Sequence, residues 1–423
     1  MLQRNEAVLL MASRLLVPQM QRLVRLMKRP KGHVVPGVDL VLDPTAPVPA
    51  PSSLQPGEIL VRNLFLSLDP AMRGWMNEGK SYVPPVPLGD IMRGGAIGAV
   101  VHSMNDKFAR GDLVSGLFGW CEYAVASKAI VKLPSSFQLH DSTAWLGVLG
   151  MPGLTAYFGT FEVMRPKAGD TVVVSAAAGA VGSVVVCLAK RVIGCRVVAI
   201  AGGSEKCAWL KSSCGADVVI DYKNKETFTS EFKAATASGV DCYFDNVGGP
   251  LLDMVLNRLN KGARIAICGA ISQYNAASKE EVFAPRNYMS LLVNSASMRG
   301  FVVFDFASQY KEAVAKLQVC VGVQQMRVCL FYCVRAYAAQ EWLSEGKIVP
   351  KEHIVNGDRS LMPPPLSTIC LNPNPLPDLG NAAGALQMLF DGRNDGKLIV
   401  RIDPSASASE AALSNIRGQT SKL

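Results

Sequence analysis

TVVVSAAAGAVGSVVVCLAKRVIGCRVVAIAGG, residues 171–203, is the stretch that decides the fold. A β-branched run, Thr171 to Val174, gives way to a small-residue turn, Ser175 to Gly182. An apolar-periodic segment comes next and stops at Gly194, and a second β-branched run occupies Arg196 to Ile200. Strand, tight turn, helix and strand in that order make half of a dinucleotide-binding unit. Within the turn Ala176, Gly179 and Gly182 stand at i, i+3 and i+6, an A-x-x-G-x-x-G variant of the nucleotide fingerprint. Such a turn brings backbone close to a pyrophosphate at a helix start, where amide donors and the helix dipole favour an anion. A Cβ at Gly179 or Gly182 is expected to stand in the phosphate's way. The blander alternative is that these glycines only pack a helix on a strand; the flanking strands favour the phosphate.

The residues just past the second strand select the coenzyme. A ribose diol calls for an acid about 20 residues past the glycines, whereas a 2′-phosphate calls for its absence and a nearby cation. The strand ends in Ala201, Gly202 and Gly203, and the next cation is Lys206, which favours NADP over NAD. Glu205 adjoins Lys206 and is the one acid that could face the ribose instead.

Upstream, GEILVRNLFLSLDP at 57–70 and the glycine-punctuated strands through Gly98 to His102, Asp112 to Phe118 and Tyr123 to Leu133 suggest a small barrel-like β domain. Asp141 to Tyr157 reads as helix. Downstream, helix Ala208 to Cys214, strand Asp217 to Tyr222, strand Val240 to Asn246, helix Leu251 to Leu259 and strand Ala263 to Cys268 alternate as a parallel sheet wound on both faces does. The fold class is therefore α/β: a β-rich domain over 1–145, a doubly wound Rossmann domain over 146–303, and a C-terminal part, 304–423, returning to the first. Ligands of such sheets bind at the strand ends, here Asn246, Gly269 to Tyr274 and Phe301.

A chain of 423 residues with 49% apolar and 18% charged residues reads as soluble and two-domain, with no apolar run long enough to span a bilayer. Eleven cysteines without paired C-x-x-C spacing argue against structural zinc and against a secreted disulfide scaffold, and for reduced thiols in the cytoplasm. The net charge of +9 suits attraction of a polyanionic coenzyme. No basic run is interleaved with aromatics, so nucleic acid is not expected as a partner.

The strings LSLDPAMRGWM, LGVLGMPGLTAYFG, SAAAGAVGS, GGSEKC, YFDNVGG, ICGAISQYN, RGFVV and GRNDGKLIVRI run in order over most of the chain. Together they resemble the zinc-independent medium-chain dehydrogenases/reductases, specifically the group of prostaglandin, alkenal double-bond and curcumin reductases. The resemblance implies a GroES-like catalytic domain, NADPH as hydride donor, a homodimer, and reduction of the C=C bond of α,β-unsaturated carbonyls without a metal. It places Gly179, Ala180, Val181 and Gly182 on the pyrophosphate, Lys206 and Tyr222 at the 2′-phosphate, and Asn246 at the ribose. Cys268, Gly269, Ala270, Ile271, Ser272, Gln273, Tyr274, Phe301, Val302, Val303 and Asn394 would line the nicotinamide side.

The Gly-His-Glu segment and four-cysteine lobe of the zinc enzymes are missing, and His33, His102, His140 and His353 make no ligand cluster with cysteine. Charge developing on an enolate oxygen then needs another donor, for which Tyr274 is the catalytic candidate; the alternative is that its ring only stacks and solvent supplies the proton. The family's tyrosine after Asp-Pro is Ala71 here, which should widen the pocket, with Tyr82 and Trp75 as substitutes. Quinone reduction on the same scaffold and a catalytically silent NADPH-binding protein are the competing readings.

Against the family pattern three segments are surplus: 11–27, 319–340 and 358–380. The first is apolar, contains Arg14, Arg22 and Arg25 and has a leader-like composition, although Glu6 and a strand-like start precede it. The third carries six prolines. Intron sequence carried into the reading frame accounts for all three; insertion for partner or membrane contact is the alternative.

Overall fold

The computed structural model describes residues 18–134, 142–321, 351–355 and 379–402. The N-terminal part is β-rich: β1 (Met20–Leu26), β2 (Leu40–Pro47), β3 (Ile59–Ser67), β4 (Ala96–Ser103), β5 (Leu113–Gly116), β6 (Tyr123–Ala126) and β7 (Val131–Lys132). The centre of this layer is β3, ILVRNLFLS, with eight of its nine residues buried. It pairs antiparallel with β4 and β6, and sharing one strand among several partners curls the sheet. A short helix, α1 (Ala71–Trp75), comes after β3.

The segment expected to be surplus at 11–27 contains β1, and this corrects the expectation. The strand pairs antiparallel with β2, and Leu23, Val24 and Leu26 lie in the same core as Met92 and Trp120. Arg22, part of the leader-like composition, grips Glu122 at 2.7 and 2.9 Å. A basic apolar run and a strand with polar edge residues look alike in composition; only the partners separate them. Residues 11–17 lie outside the described residues, as do most of 319–340 and 358–380, of which only 319–321, Leu379 and Gly380 are described.

The second layer is the parallel sheet of β8 (Thr171–Val174), β9 (Arg196–Ala201), β10 (Val218–Asp221), β11 (Val240–Asp245), β12 (Leu259–Ile267) and β13 (Ser297–Gly300), in the order β10-β9-β8-β11-β12-β13. Every pairing in it is parallel. All four residues of β8 are buried, as a strand covered on both faces requires. Helices lie between the strands: α2 (Met151–Phe158), α3 (Gly182–Cys187), α4 (Ser204–Trp209), α5 (Phe228–Ala235), α6 (Gly249–Leu256) and α7 (Ser290–Val293). Before α2 the expected long helix is instead a 3-10 turn, Ser142–Leu146, because the chain folds so tightly there that a Cβ on Gly153 would run into the Val148 backbone. After α8 (Tyr310–Val321) the chain rejoins the first sheet as β14 (Glu352–Val355) and, past α9 (Ala382–Phe390), as β15 (Lys397–Arg401), which pairs antiparallel with β3. Strand order reverses between β8 and β11, so the crevice beyond Val174 and Asp245 is the binding position of this topology.

Candidate functional site

The turn after β8 is held by its own backbone. Ala176 adopts a left-handed conformation (φ 47°), the Gly179 N–H donates to the Ala176 carbonyl at 2.9 Å, and the Ala177 N–H reaches Ile200 at 2.9 Å. The two glycines then part roles. A Cβ on Gly182 would run into the Ala176 carbonyl and approach the Ala177 Cα to 2.8 Å; this glycine lets α3 sit close on the turn. A Cβ on Gly179 would meet only the Ala176 carbonyl, at 3.1 Å, and otherwise open space. The space beside Gly179 is thus open, with Ala180 and Val181 partly exposed next to it.

At the end of β9 the absence of an acid has a structural companion. Gly202 leaves room for the Tyr222 ring, whose atoms lie 2.7–2.9 Å from where a Cβ would be. The Gly203 N–H donates to Asp221 at 3.0 Å, and the same carboxylate oxygen takes the Lys223 N–H at 2.9 Å. Lys206, in α4, donates to the Gly392 carbonyl at 2.7 Å. A Cβ on Gly392 would stand 2.9 Å from the Tyr222 hydroxyl. Lys206 and Tyr222 therefore converge on one loop, 391–396, which the C-terminal part of the chain supplies.

At the end of β11, Asp245 is fully buried and gathers donors: Tyr243 Oη at 2.7 Å, and the Val247 and Gly248 N–H groups at 3.0 and 2.9 Å. Burial nevertheless holds its carboxyl above the usual range. Asn246 is clamped to Ser175, its amide donating to the Ser175 carbonyl at 2.7 Å and its own N–H to the Ser175 hydroxyl at 2.9 Å. This ties the end of β11 to the end of β8. The 268–274 loop rests on the same corner: Gly269 and Ile271 donate to Asp245 and Asn246, Ser272 Oγ to Val247 at 2.6 Å, and Gln273 accepts from Phe283 at 2.8 Å.

Tyr274 closes that loop on itself. Its hydroxyl oxygen accepts the Ala270 N–H at 3.1 Å and lies 2.7 Å from where a Gly269 Cβ would be. Burial raises its phenol above the ordinary value near 10, against the lowering effect of the Ala270 N–H, and the neighbouring Cys268 and Tyr82 add to the rise. The hydroxyl is consequently a protonated donor across the physiological range. Cys268 is pushed up to about 12 by burial and then by Asp245, which leaves it a thiol and no nucleophile.

Tyr82, from the β-rich part, comes near this pair. Burial, opposed by a hydrogen bond from Trp75 Nε1 at 3.3 Å, raises its phenol, and Asp69 and Cys268 reinforce the rise. Its ring lies 6.2 Å from that of Phe304. Trp75, in the helix that begins at Ala71, and Tyr82 thus stand together. Asp69 itself is fixed by Lys397 at 2.7 Å, whose side chain is 3% exposed.

Two residues expected on the nicotinamide side also pack against the core. Phe301 packs edge-on against Phe244, centroids 6.3 Å apart, and into the space at Gly159, while remaining partly exposed. Val303 packs beside Leu154 and Phe158, and its carbonyl takes the Tyr310 hydroxyl at 3.0 Å; Val302 lies between the two. Asn394 donates to the Gly396 carbonyl at 2.9 Å, and Gly396 bridges in parallel to Gly179, which brings Asn394 beside the phosphate turn. Ser175, Asp245 and the pair Lys351–Asp395 were missed by sequence reasoning. Ser175 was legible as the residue ending the first strand, while Lys351 and Asp395 meet only through the fold.

Residues 22–133 match the family described as the N-terminal domain of oxidoreductase, and residues 180–318 the family described as zinc-binding dehydrogenase. Among the described residues no group of three or more His, Cys, Asp or Glu side chains is placed to hold a metal ion. YfmJ of Bacillus subtilis (strain 168), assigned as an NADP-dependent oxidoreductase, is 40% identical over 387 residues, 91% of this chain and 99% of its own. The NADP(+)-dependent 2-alkenal reductase of Nicotiana tabacum is 37% identical over 351 residues, 82% of this chain and 87% of its own. The crystal structure of CurA from Vibrio vulnificus in complex with NADPH superposes with a TM-score of 0.74 at 36% identity, covering 90% of this chain and 99% of that one. With its curled β-sheet, its parallel Rossmann sheet and relatives at this level of identity, the chain belongs to the zinc-independent medium-chain dehydrogenase/reductase family, in the group of the curcumin, alkenal and prostaglandin reductases.

Proposed function

We propose that this chain is an NADPH-dependent oxidoreductase that reduces the C=C bond of α,β-unsaturated aldehydes and ketones. The observation that carries the reading is the Tyr274 hydroxyl: a protonated donor, fixed by the Ala270 N–H, at the crevice where β8 and β11 diverge. The residues fit the coenzyme. Gly179 leaves space that a Cβ would begin to fill, β9 ends in Ala201-Gly202-Gly203 with no acid before Glu205, and Lys206 with Tyr222 would meet a 2′-phosphate.

NADPH, when bound, supplies a hydride to the β-carbon of the substrate. The chain's own part is positioning and charge stabilisation. Tyr274 Oη–H donates to the carbonyl oxygen as it takes on enolate character, and its raised pKa keeps that proton in place. Water then protonates the α-carbon. Asn246, clamped to Ser175, and Asn394, held to Gly396, keep the ribose and nicotinamide sides of the crevice in register. Ala71 opens the substrate side to long or ring-bearing chains, with Trp75 and Tyr82 as its apolar and hydroxyl-bearing wall.

The protein is proposed to work in the cytoplasm, in keeping with seven free thiols among the described cysteines, and as a homodimer. Support for the dimer is the bare edge of the six-stranded sheet. All four residues of β13 are exposed, and beside them α7 shows Leu292 and Val293 at 72% and 78% exposure. An edge strand with an apolar flank calls for a partner, and a two-fold pairing of β13 with its copy provides one. Leu292→Asp with Val293→Asp should convert the dimer to monomer in sedimentation velocity; unchanged mass would remove this edge as the interface. For the activity, oxidation of NADPH and NADH is followed with a 2-alkenal, a ring enone, a curcumin-like diketone and a quinone. Faster turnover of the enals and enones with NADPH is expected. Turnover of the quinone alone, or binding without turnover, would reject the reading.

A further inference from the structure

The loop that receives Lys206 is anchored by an ion pair nearly cut off from solvent. Lys351 Nζ lies 2.6 Å from Asp395 Oδ2, with side chains 13% and 10% exposed. The same ammonium stands 4.8 Å from the centre of the Trp209 ring, the last residue of α4. Lys206 is three residues earlier in that helix, and its Nζ donates to Gly392, three residues before Asp395. The Asp395 N–H donates to His353 Nδ1 at 3.2 Å. Gly396 (φ 76°) sits so close to β14 that a Cβ would run into the Lys351 carbonyl, which also takes the Lys397 N–H at 2.9 Å. Residues 392–396 are therefore strung between α4 at one end and Lys351 at the other.

A lysine is a point charge on a long flexible stem, and meeting a phosphate costs it rotamer freedom unless something already confines it. Here the Gly392 carbonyl confines it, and the position of Gly392 depends on what holds Asp395. We propose that Lys351 and Asp395, packed on Trp209, are positioning residues that set Lys206 and thereby tune the preference for the phosphorylated coenzyme. This rests on the NADPH reading above. The pair touches neither substrate nor reacting atoms; it acts through Gly392 and Lys206. Breaking a buried pair leaves its partner uncompensated and lets the surrounding loop shift, which should be felt where the 2′-phosphate binds and far less by a coenzyme lacking it.

The test is calorimetric binding of NADP+ and NAD+ to the full chain, to Asp395→Asn, Lys351→Met and Lys351→Arg, with melting curves to establish folding. The parent is expected to favour NADP+. In Asp395→Asn and Lys351→Met the NADP+ dissociation constant should rise about tenfold, as loss of one well-placed charged hydrogen bond would give, while that of NAD+ moves less than about threefold. Lys351→Arg keeps a cation over the indole and should restore most of the ratio. Should Asp395→Asn fail to fold, Trp209→Leu, which spares the ion pair and removes its cover, is read for the same ratio. An NADP+ to NAD+ ratio unchanged in the folded variants, or lost equally for both coenzymes, would overturn the inference. A parent that did not discriminate would instead overturn the NADPH reading.

Discussion

Tyr274→Phe removes one oxygen with two duties. It accepts the Ala270 N–H at 3.1 Å, and in the proposed reaction it donates to the developing enolate. Loss of a single oxyanion donor costs about 10²–10³ in rate. Tyr274 is partly exposed, so water takes over some of the work. The expected loss is the lower figure, about 10² in kcat/KM with a 2-alkenal, or about 2.7 kcal/mol of transition-state stabilisation. Removing the acceptor also leaves the Ala270 N–H unpaired, a stability cost on the order of 1 kcal/mol, seen as a small fall in Tm. NADP+ affinity should stay within about twofold, because the hydroxyl is not part of the phosphate cradle. Burial raises the phenol pKa, so the donor stays protonated through the ordinary tyrosine value near 10 and the wild-type kcat/KM should decline from Tyr274 ionisation only above it. Initial rates by NADPH absorbance, with parallel NADP+ titrations, measure all of this. A phenylalanine variant within about threefold of wild type would refute the donor role and leave Tyr274 as a stacking residue with solvent as the acid.

Lys206→Ala should weaken NADP+ by about tenfold, the low end for a charge-assisted bond at a partly buried site, and leave NAD+ nearly unchanged; equal losses in titration would contradict its placement. Gly182→Ala forces a Cβ into the Ala176–Ala177 backbone and should lower stability by about 1–3 kcal/mol in denaturant melts. Gly179→Ala meets little but the Ala176 carbonyl at 3.1 Å, and should spare stability while costing coenzyme affinity; the opposite pattern would reverse the roles given to the two glycines. His353 has its pKa lowered, first by burial and then by Lys206 and Lys351, against Asp395. The unfolded chain therefore takes up this proton first as pH falls below about 6.5. Stability from this site is intact above that pH and is lost as pH falls toward and through the folded value; a His353→Asn protein should show a shallower loss of Tm between pH 7.5 and 5.5.

Much of the frame could be read directly. Thr171 to Val174 and Arg196 to Ile200 are continuous β-branched runs because both faces of those strands are covered, and a run of that kind needs no partner to be recognised. Strand β1 was the reverse case: MQRLVRL interleaves arginine and glutamine whose partners, Glu122 and the Pro47 carbonyl, lie 26 to 100 residues away, so the segment read as surplus to the family pattern. Gly179 and Gly182 were legible as a pair but not in their different surroundings, which depend on where the Ala176 carbonyl points. The packing of Phe301 against Phe244 and into the gap at Gly159 had no local signal, since it depends on a glycine 142 residues away. The Lys351–Asp395 pair had no local signal, since each residue is an ordinary charge until the chain brings β14 beside the 391–396 loop.

Hydride delivery to an activated alkene is the claim on which everything else depends, and isotope transfer tests it most directly. The full chain is incubated with a 2-alkenal and NADPH carrying deuterium at C4 of the nicotinamide, in the transferring configuration and, separately, in the other, and the product is examined by mass spectrometry and NMR. One of the two should give the saturated aldehyde with a single deuterium on the β-carbon and the proton on the α-carbon drawn from water. Deuterium on the carbonyl carbon, an allylic alcohol as product, or no transfer from either form would contradict it.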